Sequence, residues 1–153
     1  VSRVEVTEHI EAPPAAVWEL IGDPTAMAGI AEECVTMQWT GGSDRPAVGA
    51  RFRGHNRSGW RRWSTSCTVV RYEPGAAIAW DVAFGPLAVA HWAYRLEADG
   101  AEGGTTVHET FEDRRASALR VLSPIVRGTK DTDGLNRTNM ATTLARLKAR
   151  AEA

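Results

Sequence analysis

Hydrophobic and polar positions change period three times along the chain. From Arg3 to Glu11 they alternate, with Val4, Val6, Glu8 and Ile10 on one face and Arg3, Glu5, Thr7, His9 and Glu11 on the other. That pattern predicts a half-buried strand. Ala12-Pro13-Pro14 ends it, and Pro14 is placed to open a short helix whose buried side is Val17, Trp18, Leu20 and Ile21. Gly22 closes this helix, and Asp23-Pro24 reads as cap and first position of another through about Ala31. From Cys34 the period drops to two and predicts strands at about 34–41, 50–58, 61–72, 76–84, 89–98 and 104–112. Their connections are turn-like (Gly41-Gly42-Ser43-Asp44, Ser58-Gly59, Glu73-Pro74-Gly75, Gly85-Pro86, Asp99-Gly100), so consecutive strands form antiparallel hairpins.

The last third returns to helical period. One stripe runs Leu119, Leu122, Val126, Thr129, Asp133, Asn136, Met140, Leu144, Leu147, apolar at both ends and polar in the middle. A helix that only caps a core stays apolar along its inner face. Polar groups in the middle fit a helix lying across a cavity, or one whose middle bows into solvent. Ser123-Pro124 starts a second helix or kinks a single one. An antiparallel sheet needs cover on its apolar face, and this long helix is the large candidate. The order of elements predicts one α+β domain over residues 1–153.

Strand parity then assigns side chains to faces. Phe52, Gly54 and Asn56 oppose Arg51, Arg53, His55 and Arg57. Trp63, Thr65, Cys67 and Val69 share a face, as do Ile78, Trp80, Val82 and Phe84, and Ala90, Trp92, Tyr94 and Leu96. Thr105, Val107, Glu109 and Phe111 make the last inward row. The tryptophans are plain core or the wall of a pocket, since a large ring with one N–H suits both. Inward Asn56 is a pocket group or satisfies a neighbouring loop. Glu109 pairs with an arginine at the sheet's end, or lies buried without one, in which case desolvation raises its pKa and makes it a proton donor or acceptor. Glu8 falls diagonal to it if the first and last strands pair.

Composition narrows the partners. Charged residues are 24% and hydrophobic ones 43%, ordinary for a globular chain. A net charge of −1 gives no overall pull towards nucleic acid or membrane, and no apolar run is long enough to span a bilayer. The charged, alternating N-terminus is unlike a signal peptide, so a cytoplasmic location is expected. Cys34 and Cys67 lack CxxC spacing, and His9, His55, His91 and His108 all fall on outward registers, so neither a metal nor a cofactor is expected. Arg51, Arg53, Arg57, Arg61 and Arg62 lie near Phe52, Trp60 and Trp63, but the arginine set points away from Phe52 and the overall charge is slightly negative, which argues against single-strand nucleic-acid binding. Six tryptophans against two tyrosines and three phenylalanines are the unusual count.

Several stretches carry a resemblance. Ile10-Glu-Ala-Pro-Pro-Ala-Ala-Val-Trp18 enters the first helix and Val48-Gly-Ala-Arg-Phe52 enters a strand. Trp92-Ala-Tyr-Arg-Leu96, Gly103-Gly-Thr-Thr-Val107 and Met140-Ala-Thr-Thr-Leu144 through Lys148 follow. Together they resemble the bacterial polyketide cyclase/dehydrase family of the START-like, pollen-allergen-like superfamily. The resemblance implies a helix-grip fold, a curved seven-stranded antiparallel sheet wrapped around a long C-terminal helix, with two short helices between strands one and two. It also implies a cavity between sheet and helix, lined here by Asn56, Trp63, Trp80, Trp92, Tyr94, Glu109, Asn136 and Met140, with the Phe84–Val89 hairpin near its mouth. The expected ligand is a small hydrophobic, aromatic or polycyclic metabolite. Two other readings stay open. One is a polyketide cyclase, aromatase or dehydratase using Glu109 as general acid/base; the other is a protein-interaction module. The family has no invariant catalytic set to carry over.

Overall fold

The computed structural model describes residues 3–30, 34–100, 103–115 and 132–153. The strands are β1 (Arg3–Ile10), β2 (Cys34–Thr40), β3 (Arg51–Ser58), β4 (Arg61–Glu73), β5 (Ala77–Phe84), β6 (Leu87–Ala98) and β7 (Thr105–Asp113). Helices α1 (Pro14–Ile21) and α2 (Pro24–Met27) lie between β1 and β2, and α3 (Thr132–Ala151) follows β7. The strands form one antiparallel sheet in the order β1-β7-β6-β5-β4-β3-β2, a meander whose first strand closes on its last. With α3 packed against β1 and β7, this is the helix-grip fold.

Local chemistry explains most boundaries. Pro14 opens α1, and Asp23 caps α2 by accepting a hydrogen bond from the Thr25 amide at 2.8 Å. α2 is shorter than the stretch to Ala31 expected for it. Gly59 (φ 63°) and Gly85 (φ 57°) each take the first central position of a two-residue hairpin turn, where a positive φ matches the twist of the strands. The Gly85-Pro86 turn lets β6 begin at Leu87, earlier than the expected 89.

Parity holds along β1, β3 and β7 and fails at two bulges. One lies between Val69 and Arg71, so that Tyr72, not Arg71, turns inward and packs on Trp18 at 5.9 Å. The other places the extra residue Val89 on β6, opposite Val82 and Ala83, and Phe84, at the turn end of β5, is 54% exposed instead of joining the buried row of Ile78, Trp80 and Val82. The core joins the inward rows to α1, α2 and α3, with Val17, Ile21, Leu144 and Leu147 fully buried. Thr105 Oγ1 donates to the Ala12 carbonyl at 2.7 Å and ties β7 to the entry of α1.

Of the amphipathic stripe, Asn136, Met140, Leu144 and Leu147 are buried on α3. Leu119, Leu122, Val126, Thr129, the Ser123-Pro124 break and the Asp133 side chain lie outside the described residues. Cations anchor the far half of α3: Lys148 donates to the His9 carbonyl (2.9 Å) and Arg150 to the Gly29 carbonyl (3.0 Å).

Candidate functional site

The centre of the inward face is a row of aromatic rings leading to one acid. Trp39 meets Phe52 edge-on at 5.7 Å, Phe52 meets Trp80 edge-on at 5.7 Å, and Trp80 stacks on Tyr94 at 5.8 Å. Strand register produces the line. Trp39 sits opposite Phe52 across β2–β3, and Tyr94 lies diagonal to Trp80 across β5–β6. Tyr94 is opposite Glu109 across β6–β7 and donates its hydroxyl hydrogen to Glu109 Oε2 at 2.8 Å.

Glu109 is 2% exposed, and its other oxygen, Oε1, has no hydrogen-bond partner. No cation pairs with it among the described residues. Burial therefore dominates its titration and pushes its pKa up to about 8, while the Tyr94 hydrogen bond pulls the other way. At neutral pH the carboxyl is mainly protonated, an O–H donor held against an aromatic wall. Glu8 lies diagonal to it, since Glu8 faces Val107 and Glu109 faces Val6. Glu8 is half-buried on the side of Lys148, whose pKa is raised chiefly by its hydrogen bond to Glu152 and further by the charge of Glu8.

The expected site residues fall into distinct groups. Trp80 (5% exposed), Tyr94 (3%) and Glu109 form the contiguous centre. Trp92 is half-buried, faces Trp80 in register and packs on Phe111 at 4.8 Å. Asn56 and Trp63, register partners on β3 and β4, are half-buried nearer the β3–β4 turn, where Asn56 Nδ2 reaches Thr65 Oγ1 at 3.4 Å. Asn136 and Met140 are buried on α3.

Two features had escaped the sequence reading. Trp39 extends the aromatic row, and its register opposite Phe52 was the signal. The second is Asp113, 2% exposed at the inward end of β7, which Arg115 grips through both carboxylate oxygens at 2.9 and 2.6 Å. Alternation from Thr105 through Phe111, carried one step past Glu112, points to it.

The opposite face of the sheet holds an open cavity of about 240 Å³ over Ala77, Ala79, Ala93 and Thr110. Its arginines are already engaged: Arg3 with Glu5, Arg71 with Glu73 and Arg95 with Glu97. It offers a ligand no uncommitted guanidinium, unlike the inward face with its open carboxyl oxygen. Among the described residues no cluster of three His, Cys, Asp or Glu could hold a metal ion, and no helix is long and apolar enough to cross a membrane.

Known proteins place this geometry. A polyketide-cyclase-like protein of Corynebacterium glutamicum is 25% identical and superposes with a TM-score of 0.57, over 98% of this chain and 88% of that one. Ginseng major latex-like protein 151 from Panax ginseng superposes with a TM-score of 0.74 at 10% identity, over 99% and 98% of the two chains. The di-domain ARO/CYC StfQ from the steffimycin biosynthetic pathway matches with a TM-score of 0.67 at 14% identity, over 97% of this chain and 44% of that one. A search of curated proteins returns no match. The sequence model for polyketide cyclase / dehydrase and lipid transport matches residues 2–152, and the chain belongs to that family.

Proposed function

We propose that the protein binds a small, largely hydrophobic metabolite with aromatic or polycyclic character between the inward face of the sheet and α3. The observation that carries this is Glu109, a buried carboxyl with one oxygen satisfied by Tyr94 and the other open. An unsatisfied buried polar atom costs on the order of 1–3 kcal/mol, which a ligand hydroxyl or carbonyl would recover. Trp80, Tyr94 and Trp92 supply apolar and stacking area, and Asn56 and Asn136 supply further polar contacts. This division of labour is usual in small-molecule sites. Family membership and the ARO/CYC neighbour support the same class of ligand.

Native mass spectrometry of the purified protein, then tryptophan-fluorescence titration with aromatic polyketides and fatty acids, tests the reading. A co-purifying hydrophobic mass or saturable quenching at micromolar levels is expected. A bare mass with no response to either class would overturn it and leave the tryptophans as core.

One observation favours a catalytic version. A carboxyl held neutral near pH 7 is suited to donate a proton to an oxygen leaving a poly-ketone chain, and as carboxylate to take one from a carbon next to a carbonyl. Glu109→Gln separates the two versions. Binding retained with turnover lost assigns proton transfer to Glu109; turnover retained removes it from that role.

A further inference from the structure

The arginines of this chain divide into two populations. Arg3, Arg45, Arg71, Arg95, Arg114 and Arg115 each pair with a carboxylate. Arg137, Arg146 and Arg150 donate to backbone carbonyls. Arg51, Arg53, Arg57, Arg61 and Arg62, all on the β3–β4 hairpin, have no carboxylate in ion-pair reach among the described residues, and residues 46–70 contain no Asp or Glu. The chain as a whole is at −1, so positive charge is concentrated on this hairpin.

Its tip is built against folding stability. Arg57 and Arg62 are exposed and directly opposite across the β3–β4 ladder, an arrangement that like charges make unfavourable. Beyond them the Gly59 turn presents Trp60 with 85% of its surface exposed and the Arg61 guanidinium over its ring at 5.1 Å. β5 runs antiparallel to β4 with Ala83 opposite Ser66, so the β5–β6 turn emerges at the same end of the sheet. It carries Phe84 and Leu87, 54% and 44% exposed. Trp60 and arginines that have no carboxylate partner among the described residues therefore form the tip, with exposed Phe84 and Leu87 set back at the same end of the sheet.

We propose that this end docks on membrane surfaces rich in anionic phospholipid, with Trp60 in the headgroup layer and Arg57, Arg61 and Arg62 on lipid phosphates. Tryptophan is suited to that depth because its ring is apolar and its N–H remains wet. Basic side chains beside it are drawn to an anionic surface over about a Debye length. The contact is interfacial and spans nothing. A nucleic acid fits less well. A single-strand track needs successive rings along a basic groove. Here one ring sits at an apex, and further across the outward face Asp81, Glu112, Glu97 and Glu5 reverse the charge. The proposal goes beyond the interior ligand and does not depend on it.

The test is co-sedimentation of the full chain with vesicles of phosphatidylglycerol mixed into phosphatidylcholine, against pure phosphatidylcholine, at low and high salt. Binding to the anionic vesicles alone, weakened by salt, is expected. Arg57→Gln with Arg62→Gln should lower partitioning roughly 25-fold, at about fivefold per charge. The same variant should melt no lower than the parent, since a like-charge pair is removed. Trp60→Ala should weaken binding while leaving its salt dependence unchanged. Failure of the parent to sediment with anionic vesicles, equal binding by the Arg57/Arg62 variant, or displacement from vesicles by a single-stranded oligonucleotide overturns the proposal.

Discussion

Glu109 and Glu112 are three residues apart on β7 and live in opposite worlds. Glu112 faces outward beside Arg114 Nη2 at 3.5 Å and His91 Nε2 at 4.0 Å. The same face places His108 near Glu97 (3.3 Å) and Glu5 (3.6 Å), and His91 against Asp81 at 2.7 Å. Outward acids thus have counter-charges and water. Glu109 has a tyrosine hydroxyl, aromatic walls and one open oxygen. On the outer face acids are neutralised by pairing; on the inner face Glu109 is neutralised by its own proton. The first solution serves solubility and gives a ligand little to hold. The second keeps a hydrogen-bond donor in a dry place, where such a bond discriminates between partners.

The contrast can be broken by substitution. Phe52→Ala removes the middle of the aromatic row and should cost about 3–5 kcal/mol in urea unfolding, while Arg53→Ala next to it on the outer face should stay within about 0.5. Comparable losses at both positions would mean that the two faces are not energetically distinct.

Glu109→Gln sharpens the comparison through pH. The folded value of about 8 lies above the ordinary 4.5, so the native chain keeps a proton that the unfolded chain releases. The resulting stabilisation is complete below about pH 4.5 and is lost as pH rises to about 8. Between pH 5 and 8.5 the parent should lose about 4 kcal/mol that Glu109→Gln does not lose, and parallel pH profiles would refute burial of a neutral acid. Arg115→Ala removes the guanidinium from the buried Asp113 carboxylate and should cost about 3 kcal/mol, measured the same way. The outer pair Arg71–Glu73, replaced by alanines, should change stability by under about 0.5 kcal/mol. A loss near that of Arg115→Ala would show that outward pairs are structural after all.

Much of this was legible in alternation alone. Period two placed Trp80, Tyr94 and Glu109 on one face because each lies on an uninterrupted run of its strand. It failed at Tyr72, where the extra residue Val70 shifts the phase of β4, and such a bulge is defined by pairing with the partner strand, which a single strand's pattern does not contain. It failed at Phe84 because that residue borders the β5–β6 turn, where nothing among the described residues covers the inward face. It also left open whether an arginine reaches Glu109. The nearest in sequence, Arg114 and Arg115, close on Asp81 and on Asp113 instead, a choice made by the chain's path after β7. The stripe that suggested a helix across the interior is seen over its second half, Asn136 to Leu147.

One pairing described above sets a clock on synthesis. β1 finds its strand partner in β7, Arg3 opposite Glu112 and Ile10 opposite Thr105. A ribosome adding about 5–20 residues per second releases β7 on the order of 5–20 seconds after β1. Through that interval Val4, Val6 and Ile10 have no strand to lie beside, and the sheet's apolar face waits longer still for α3. Long-range closure of this kind folds slowly. The nascent chain therefore passes through a half-made sheet whose apolar face is still uncovered.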